Sequence, residues 1–323
     1  MRNRKPVPGQ SLLLLMLVLG PLLPVATLRA APAFDPARVG WSEIRMSGSK
    51  LFITADARLT LRGVTGASLR PDLLAVSDER FTPLQPGTDV LELRYETRAI
   101  GRRSRLTLWM DPLSGAALQR TQHDQDGKLR LRTYRFGTAG AYQRTFWPAT
   151  PSEKSLPPER WTKTSAGLRA YPVDPGQQPV VEPTGLLYAI SAAALNQPGD
   201  TLDVLVFRRR DTQTVRIEVQ SPREVTVRYD ELRPPGTGQG TVQRTGKVQA
   251  LRLSLQGLPV PGGDPEDADL ELLGLRGRLE LLLEPATRAP LQLSGKVKVV
   301  GAVTLRLTAL RPQQQGPQQP GAR

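Results

Sequence analysis

The residues best suited to do chemistry lie together in 122–127, the segment QHDQDG. His123 is the only histidine of the chain, and Asp124 beside it could orient the imidazole as a general base. The sequence suggests no nucleophile near this pair, and His, Asp and Gly are ordinary residues of a turn. We therefore expect His123 to be an exposed residue at a hairpin tip, and we predict no catalytic residue.

Two groups of acidic residues are candidates for cation binding. Asp124-x-Asp126-Gly127 opens like a calcium loop, but Lys128 and Arg130 follow where such a loop needs oxygen ligands. The second group favours a solvated loop beside Pro and Gly, and it consists of Asp264, Glu266, Asp267, Asp269 and Glu271. A metal-dependent hydrolase using this run is the enzymatic alternative, although such sites usually include a histidine. We predict no metal and no cofactor.

Glycine-rich and arginine-rich segments raise the question of phosphate binding. The segment 236–241, GTGQGT, stands between two strand patterns, whereas the dinucleotide fingerprint needs a strand before it and a helix after it. The basic clusters at 102–105 and 208–210 lack the interleaved aromatic residues of a single-strand platform. Charged residues at strand ends also protect sheet edges. We expect no nucleotide and no nucleic-acid partner.

The chain contains no cysteine, which excludes disulfide bonds, thiolate catalysis, Cys-ligated metals and lipidation at a signal-peptide cysteine. Its formal net charge is +14, and arginine supplies most of the positive charge. Such a charge attracts anionic lipid, acidic polysaccharide or nucleic acid over long range. A soluble, arginine-rich surface without such a partner has the same charge, and the composition favours this simpler interpretation.

The first residues have the pattern of a secretory signal peptide. Arg2, Arg4 and Lys5 precede the apolar run 12–19, and small residues follow at 30–33. The run is too short for a transmembrane helix, which needs about 20 apolar residues. We interpret 1–33 as a signal peptide and expect the rest to be a soluble periplasmic or extracellular protein. We expect it to be no lipoprotein and to have no transmembrane segment.

Hydrophobic residues alternate with polar ones through most of the remaining chain. In 90–98, Leu91, Leu93 and Tyr95 share one side of a strand while Glu and Arg residues share the other. The pattern recurs in 214–219, 225–229, 251–255, 279–283 and 297–307. Turn signals such as Asp126-Gly127 separate these segments. The sequence predicts a mainly β protein with about a dozen strands in a curved antiparallel meander that buries one face.

One segment breaks the alternation and has a helical pattern. Thr184 is a candidate N-cap for a helix over 185–195. Its residues are apolar nearly all round, so we expect it to be buried on the concave face of the sheet. The segment 148–183 is rich in proline and is interpreted as a long connection, while the Gln/Pro-rich 311–323 is predicted to be disordered. The exported domain is predicted to span 34–310.

Three turn motifs carry a resemblance to a known family, and they are Asp111-Pro112, Pro198-Gly199-Asp200 and Pro290-Leu291. With the stretches around them, at 111–136, 185–207 and 281–310, they are similar to the bacterial exported family called domain of unknown function thirty-one-oh-eight. The resemblance covers most of 90–310, and the insert 148–183 departs from it. It implies an architecture similar to the lipoprotein-carrier half-barrel, a half-open antiparallel barrel around a short helix. It implies no catalytic residue.

The function predicted first is a non-enzymatic envelope protein that binds an apolar or amphipathic, lipid-like molecule on its concave face. A curved sheet around one short helix often leaves a gap that binds apolar ligands, although the same aromatic residues could be ordinary core. The residues expected to contact the ligand are Trp109, Phe136, Leu186, Leu187, Tyr188 and Ile190.

The alternative is a structural or scaffolding envelope component that binds proteins or acidic polymers through a basic outer face. Charged positions on the polar side of the strands predict this face, and they are Arg94, Arg98, Arg130, Arg132, Arg216, Arg228, Arg252, Arg278, Lys296, Lys298 and Arg306. An open apolar cavity would favour the first function, and a filled one would favour the second.

Overall fold

The computed structural model describes residues 34–50, 53–99, 102–172, 174–208, 211–233, 240–258, 269–297 and 300–313. Several predictions fall outside the described residues: the signal peptide, most of the glycine-rich loop, the acidic positions Asp264, Glu266 and Asp267, Arg209, Arg210, Lys298, and the tail from 314.

Sixteen strands form one sheet. They are β1 (Trp41–Lys50), β2 (Ile53–Thr65), β3 (Asp89–Ala99), β4 (Arg102–Met110), β5 (Ala117–Asp124), β6 (Arg130–Phe136), β7 (Gly140–Trp147), β8 (Lys163–Ala170), β9 (Val180–Val181), β10 (Thr201–Phe207), β11 (Thr212–Leu232), β12 (Thr241–Gly257), β13 (Glu271–Leu272), β14 (Leu275–Leu283), β15 (Pro290–Val297) and β16 (Gly301–Pro312). The two helices are α1 (Gly66–Leu69) and α2 (Leu186–Ala192).

The strand order confirms the predicted meander. From one edge it runs β8, β7, β6, β5, β4, β3, β2 and β1, then β16, β15, β14, β12, β11, β10 and β9, with β13 paired to β14. The pairings are antiparallel except for β9 with β10 and β11 with β16. Period-two alternation therefore predicted the fold class, although sixteen strands exceed the dozen expected because short or proline-flanked strands lack a clear pattern.

The long strand β11 closes part of the sheet into a ring. Its register with β12 shifts between Gln220 and Arg223, which marks a bulge. Beyond the bulge, Asp230 and Glu231 pair in parallel with residues 309 and 310 of β16. The strands β11, β12, β14, β15 and β16 thus form the partial ring that the half-barrel prediction requires.

Cross-strand pairing gives the sheet two distinct faces. Leu61, Leu93 and Leu108 are partners across β2, β3 and β4, and they are all buried in one hydrophobic core. Paired residues share a face while neighbours along a strand point to opposite faces. We call the face that carries this core the inner face and the opposite one the outer face.

Helix α2 lies within that core. It is shorter than the predicted 185–195, and all seven of its residues are buried. Thr184 is not its cap: the Thr184 N–H donates instead to the Glu182 carboxylate at 2.6 Å, within a 3-10 turn that precedes the helix. Complete burial of a side chain such as Leu187 or Ile190 contributes about 1.5–3 kcal/mol.

The polar groups of α2 are satisfied by the surrounding sheet. The Ser191 hydroxyl donates to a backbone carbonyl and accepts from Trp41 Nε1 of β1 at 3.2 Å. The Arg288 guanidinium, from the turn between β14 and β15, donates to the carbonyls of residues 190, 191, 193 and 195 at 2.7–3.2 Å. These carbonyls lie at or just beyond the helix C-terminus, where they have no partner within the helix. Arg288 therefore caps α2 from inside the core.

Two further differences from the sequence predictions concern connecting segments. The proline-rich insert 148–183 contains β8, β9 and two 3-10 turns, and a third turn begins at its last residue, so it is not a structureless connection. The helix α1 is a second short helix, which the sequence pattern did not predict. None of the helices in the described ranges is long and apolar enough to cross a membrane.

Candidate basic groove on the outer sheet face

The register of β1 to β5 brings arginines from distant parts of the sequence into two rows. Arg45, Arg58, Glu96, Arg105 and His123 are successive partners across these five strands. A neighbouring row contains Asp56, Arg98 and Arg103. Neighbouring strands are about 4.8 Å apart, so the arginines of a row are separated by only one or two strand spacings.

These rows border a surface groove of about 410 Å³. We call it the basic groove, because five arginines and two acidic residues line it. Its charged lining residues are Arg45, Arg58, Arg98, Arg103, Arg105, Asp56 and Glu96. All seven are exposed to solvent, so an incoming ligand can reach their charged groups without rearrangement of the core.

A second pocket of about 340 Å³ adjoins the basic groove, and the two share Arg103, Arg105 and Gln125. The second pocket adds Lys154 and the apolar residues Leu129, Leu156 and Trp161. Together the two depressions extend from β1 to the 3-10 turns of the insert. The predicted long connection thus supplies one wall of the site.

Ion pairs neutralise only part of the positive charge in the groove. Arg45 and Arg58 both donate to Glu43 at 2.8 Å, and Arg311 lies 3.4 Å from the same carboxylate. Arg105 pairs with Glu96 at 3.2 Å. The Arg105–Glu96 pair joins two exposed side chains and contributes little stability, about 0–1 kcal/mol. Glu43 is buried, but the side chains of Arg45 and Arg58 are 45% and 46% exposed, so an external anion can still reach them.

Two buried carboxylates hold the outer arginines in place. Burial alone would raise the pKa of Glu43, but hydrogen bonds from Arg58 and Arg45 outweigh it and lower the pKa below 4.5. The pKa of Glu92 is lowered in the same way against its burial, by Arg62 and Arg94. Both residues are less than 5% exposed, so these acids lie beneath the arginines and do not compete for the surface.

His123 differs from its predicted position. It lies half-buried within β5, and its ring contacts Trp161 with centroids 5.9 Å apart. The turn of this hairpin is formed by the following residues, with Gly127 at φ 73°. Burial lowers the pKa of His123 below 6.5 and Arg105 contributes, while Asp124 and Glu159 act in the opposite direction. Burial therefore favours the neutral form of this imidazole.

The two acids beside His123 pair with arginine side chains. Asp124 is hydrogen-bonded to Arg130, and Asp126 pairs with Arg103 at 3.1 Å. In the part of the chain that the structure describes, no group of three or more His, Asp or Glu residues is placed to hold a metal ion.

The six residues predicted to bind an apolar ligand lie in two places. Phe136, Leu186, Leu187, Tyr188 and Ile190 have no exposed surface and lie in one core. Trp109 does not face α2: it lies on the outer face, packs near α1, and donates from Nε1 to Glu92 at 3.3 Å. Alternation along β4 explains the difference, because Leu108 and Met110 occupy the inner positions.

Two arginines assigned to the outer face are on the inner one. Arg130 and Arg132 pair with Asp124 and Gln122, and Arg132 is only 7% exposed. Their charge alone predicts exposure to solvent, whereas the pairing of β5 with β6 turns both side chains inward. Arg45 and Arg58 are not among the predicted outer residues, although their alternation with the buried Ile44 and Leu59 indicates this face.

No family model, curated protein or solved structure matches this chain. The resemblance to an exported family stays a prediction, and the function is inferred from the residues of the site.

Proposed function

We propose that this protein is a non-enzymatic component of the cell envelope that binds an anionic polymer through the basic groove. The observation that carries the proposal is the excess of exposed arginines over acids in a groove that continues into a second, partly apolar pocket. Export from the cytoplasm rests on the predicted signal peptide.

The shape and chemistry of the groove favour an extended anion. Arginines recur across β1, β2, β3 and β4, so a chain with repeated carboxylate, sulfate or phosphate groups can contact several of them. Guanidinium groups bind such oxyanions through two parallel hydrogen bonds. A flat membrane surface would reach the rim of a groove but not its floor. We therefore favour an acidic polysaccharide over an anionic bilayer.

Binding of fluorescently labelled polygalacturonate to the full chain would test the proposal, with neutral dextran as the control polymer. We expect binding to weaken steeply between 0.1 M and 1 M NaCl, because the screening length falls from about 10 Å to about 3 Å. Replacing Arg98, Arg103 and Arg105 together by Gln should lower the affinity at least about tenfold, since each lost contact is charge-assisted.

A matched triple variant distinguishes binding in the basic groove from attraction by the overall positive charge. Arg216→Gln, Arg244→Gln and Arg252→Gln also remove three positive charges, but these residues lie on β11 and β12 and pair with Asp203, Glu231 and Glu280. We expect this variant to bind like the wild type. Equal losses in both variants, or binding to phosphatidylglycerol vesicles but not to the polymer, would contradict the proposal.

The apolar-ligand function remains a proposal with less support. Five of its six residues would have to leave a closed core before a ligand could touch them. Uptake of a fluorescent fatty acid without loss of the thermal unfolding transition would favour it.

A further inference from the structure

Three arginines lie on the inner face of β5 and β6, where the neighbouring strands bury apolar side chains. Arg120 is opposite Tyr134, Gln122 is opposite Arg132, and Asp124 is opposite Arg130. Tyr134 belongs to the hydrophobic core, so the arginine beside it also points inward. The side chains of Arg120 and Arg132 are only 16% and 9% exposed.

Arg120 and Arg132 converge on one acceptor. Gln122 Oε1 accepts from Nη2 of Arg132 at 3.0 Å and also from Nη2 of Arg120. Arg120 Nη1 lies 3.1 Å from Glu182, and Arg132 Nη2 lies 3.5 Å from Asp124, which also binds Arg130. The cluster therefore holds three guanidinium groups and two carboxyl groups, with positive charge in excess.

Each of these two guanidinium groups has an unused donor. Nε of Arg120 and Nε of Arg132 are buried, and neither has a hydrogen-bond acceptor among the described residues. Buried polar groups in proteins almost always have a partner, so two unpaired donors close together require an explanation. Arg120 also lies over the Tyr134 ring, 5.4 Å from its centroid, which fixes the guanidinium plane but satisfies no N–H.

We propose that Arg120 and Arg132 form an internal binding site for an oxyanion, a carboxylate or a phosphate. Such a group accepts hydrogen bonds from Nε and Nη of a guanidinium together and would offset the excess positive charge. Gln122, Asp124 and Ser104 are half-buried on the same face, so solvent reaches one end of the cluster. The site lies on the opposite face of the sheet from the basic groove and is independent of the function proposed there.

Titration of the full chain with three probes would test the site: inorganic phosphate, sodium decanoate and neutral 1-decanol. We expect phosphate or decanoate to raise the melting temperature and decanol to have no effect, because only the anions supply an acceptor. Stabilisation by both anions would identify the charged group alone as the ligand. Stabilisation by decanoate only would identify an amphipathic ligand. The absence of stabilisation by either anion would overturn the proposal.

Substitutions test whether the anion binds at Arg120 and Arg132. Arg132→Met should weaken anion binding at least about tenfold, whereas Arg130→Met, at the more exposed edge, should bind within about threefold of the wild type. Arg132→Lys retains the positive charge but lacks the planar set of N–H donors of a guanidinium, so it should fold and still bind weakly.

In protein labelled with ¹⁵N-arginine, the Nε signals that disappear in Arg120→Lys and Arg132→Lys identify the two donors. These same signals should shift when the anion is added to the wild-type protein. Loss of the same binding in Arg98→Gln would assign the anion to the basic groove and overturn the proposal.

Discussion

Arg288 and Arg132 are both buried arginines, but their surroundings differ. Arg288 is 4% exposed and donates to four backbone carbonyls around the end of α2. Arg132 is 7% exposed, shares Gln122 with Arg120, and leaves Nε without an acceptor among the described residues. Burial lowers the pKa of each to about 10, so both remain charged at neutral pH.

A structural arginine differs from one that is available to a ligand in how many acceptors the protein provides for it. Desolvation of a guanidinium is costly, and hydrogen bonds offset that cost only where acceptors are present. Around Arg288 the protein supplies the acceptors from its own backbone. Around Arg132 the described residues supply too few acceptors, and the unpaired Nε–H is the donor that we propose for an oxyanion.

The largest loss of stability is expected from substitutions within α2, the helix that Arg288 caps. Ile190 has no exposed surface, as the sequence analysis predicted, so Ile190→Asp would bury a carboxylate without a partner. Against a total stability of about 5–15 kcal/mol, this should prevent accumulation of folded protein. Ile190→Ala should cost about 2–5 kcal/mol, measured by urea denaturation. A melting temperature unchanged by both substitutions would show that α2 is not part of the core.

Removal of the cap should have the next largest effect. Arg288→Met leaves the carbonyls of residues 190, 191, 193 and 195 without their donor, and it should lower the free energy of unfolding by about 3–5 kcal/mol. Urea denaturation of this variant beside the wild type measures the loss. A change below about 1 kcal/mol would mean that water replaces the guanidinium and that the cap is dispensable.

The buried acids of the outer face predict a smaller effect that depends on pH. The folded-state pKa of Glu43 lies below its unfolded value of 4.5. Its contribution to stability is therefore fully present above pH 4.5 and is lost as the pH falls through the lowered pKa. Glu43→Gln should flatten this part of the stability curve, at a cost of about 1 kcal/mol at pH 7, since its partners are half exposed. A wild-type curve that is already flat there would contradict the ion-pair network.

The smallest effect is expected at Arg132 in the absence of a ligand. Arg132→Met removes an incompletely paired charge, and Asp124 keeps Arg130 as a partner, so stability should change by less than about 1 kcal/mol. Urea denaturation of Arg132→Met and Arg288→Met in the same buffer compares their losses in the free energy of unfolding directly. If the two variants are equally destabilised, Arg132 is as structural as Arg288.

The sequence was sufficient to predict an element where the pattern of polar and apolar residues within that element determines its structure. Alternation in 90–98 predicted β3, and the apolar block predicted a buried helix over 185–195, of which 186–192 is helical. It was not sufficient where a position depends on pairing between strands. Arg132 lies inside because it is opposite Gln122, and Trp109 lies outside because its neighbours in β4 point inward. The basic groove likewise depends on the register of strands whose partners cannot be read from either strand alone.

The closure of the sheet also has a consequence for the order of folding. Most neighbouring strands are consecutive along the chain, so each hairpin can form from local contacts. The seam around β16 is different: Ile44 of β1 pairs with Leu310, and Asp230 of β11 pairs with Ala309. Contacts between such distant positions form slowly, because a long loop must close before they yield any free energy. Assembly of this seam should therefore limit the rate of folding. The two parallel bridges between β11 and β16 should be the first sheet contacts to open in hydrogen exchange.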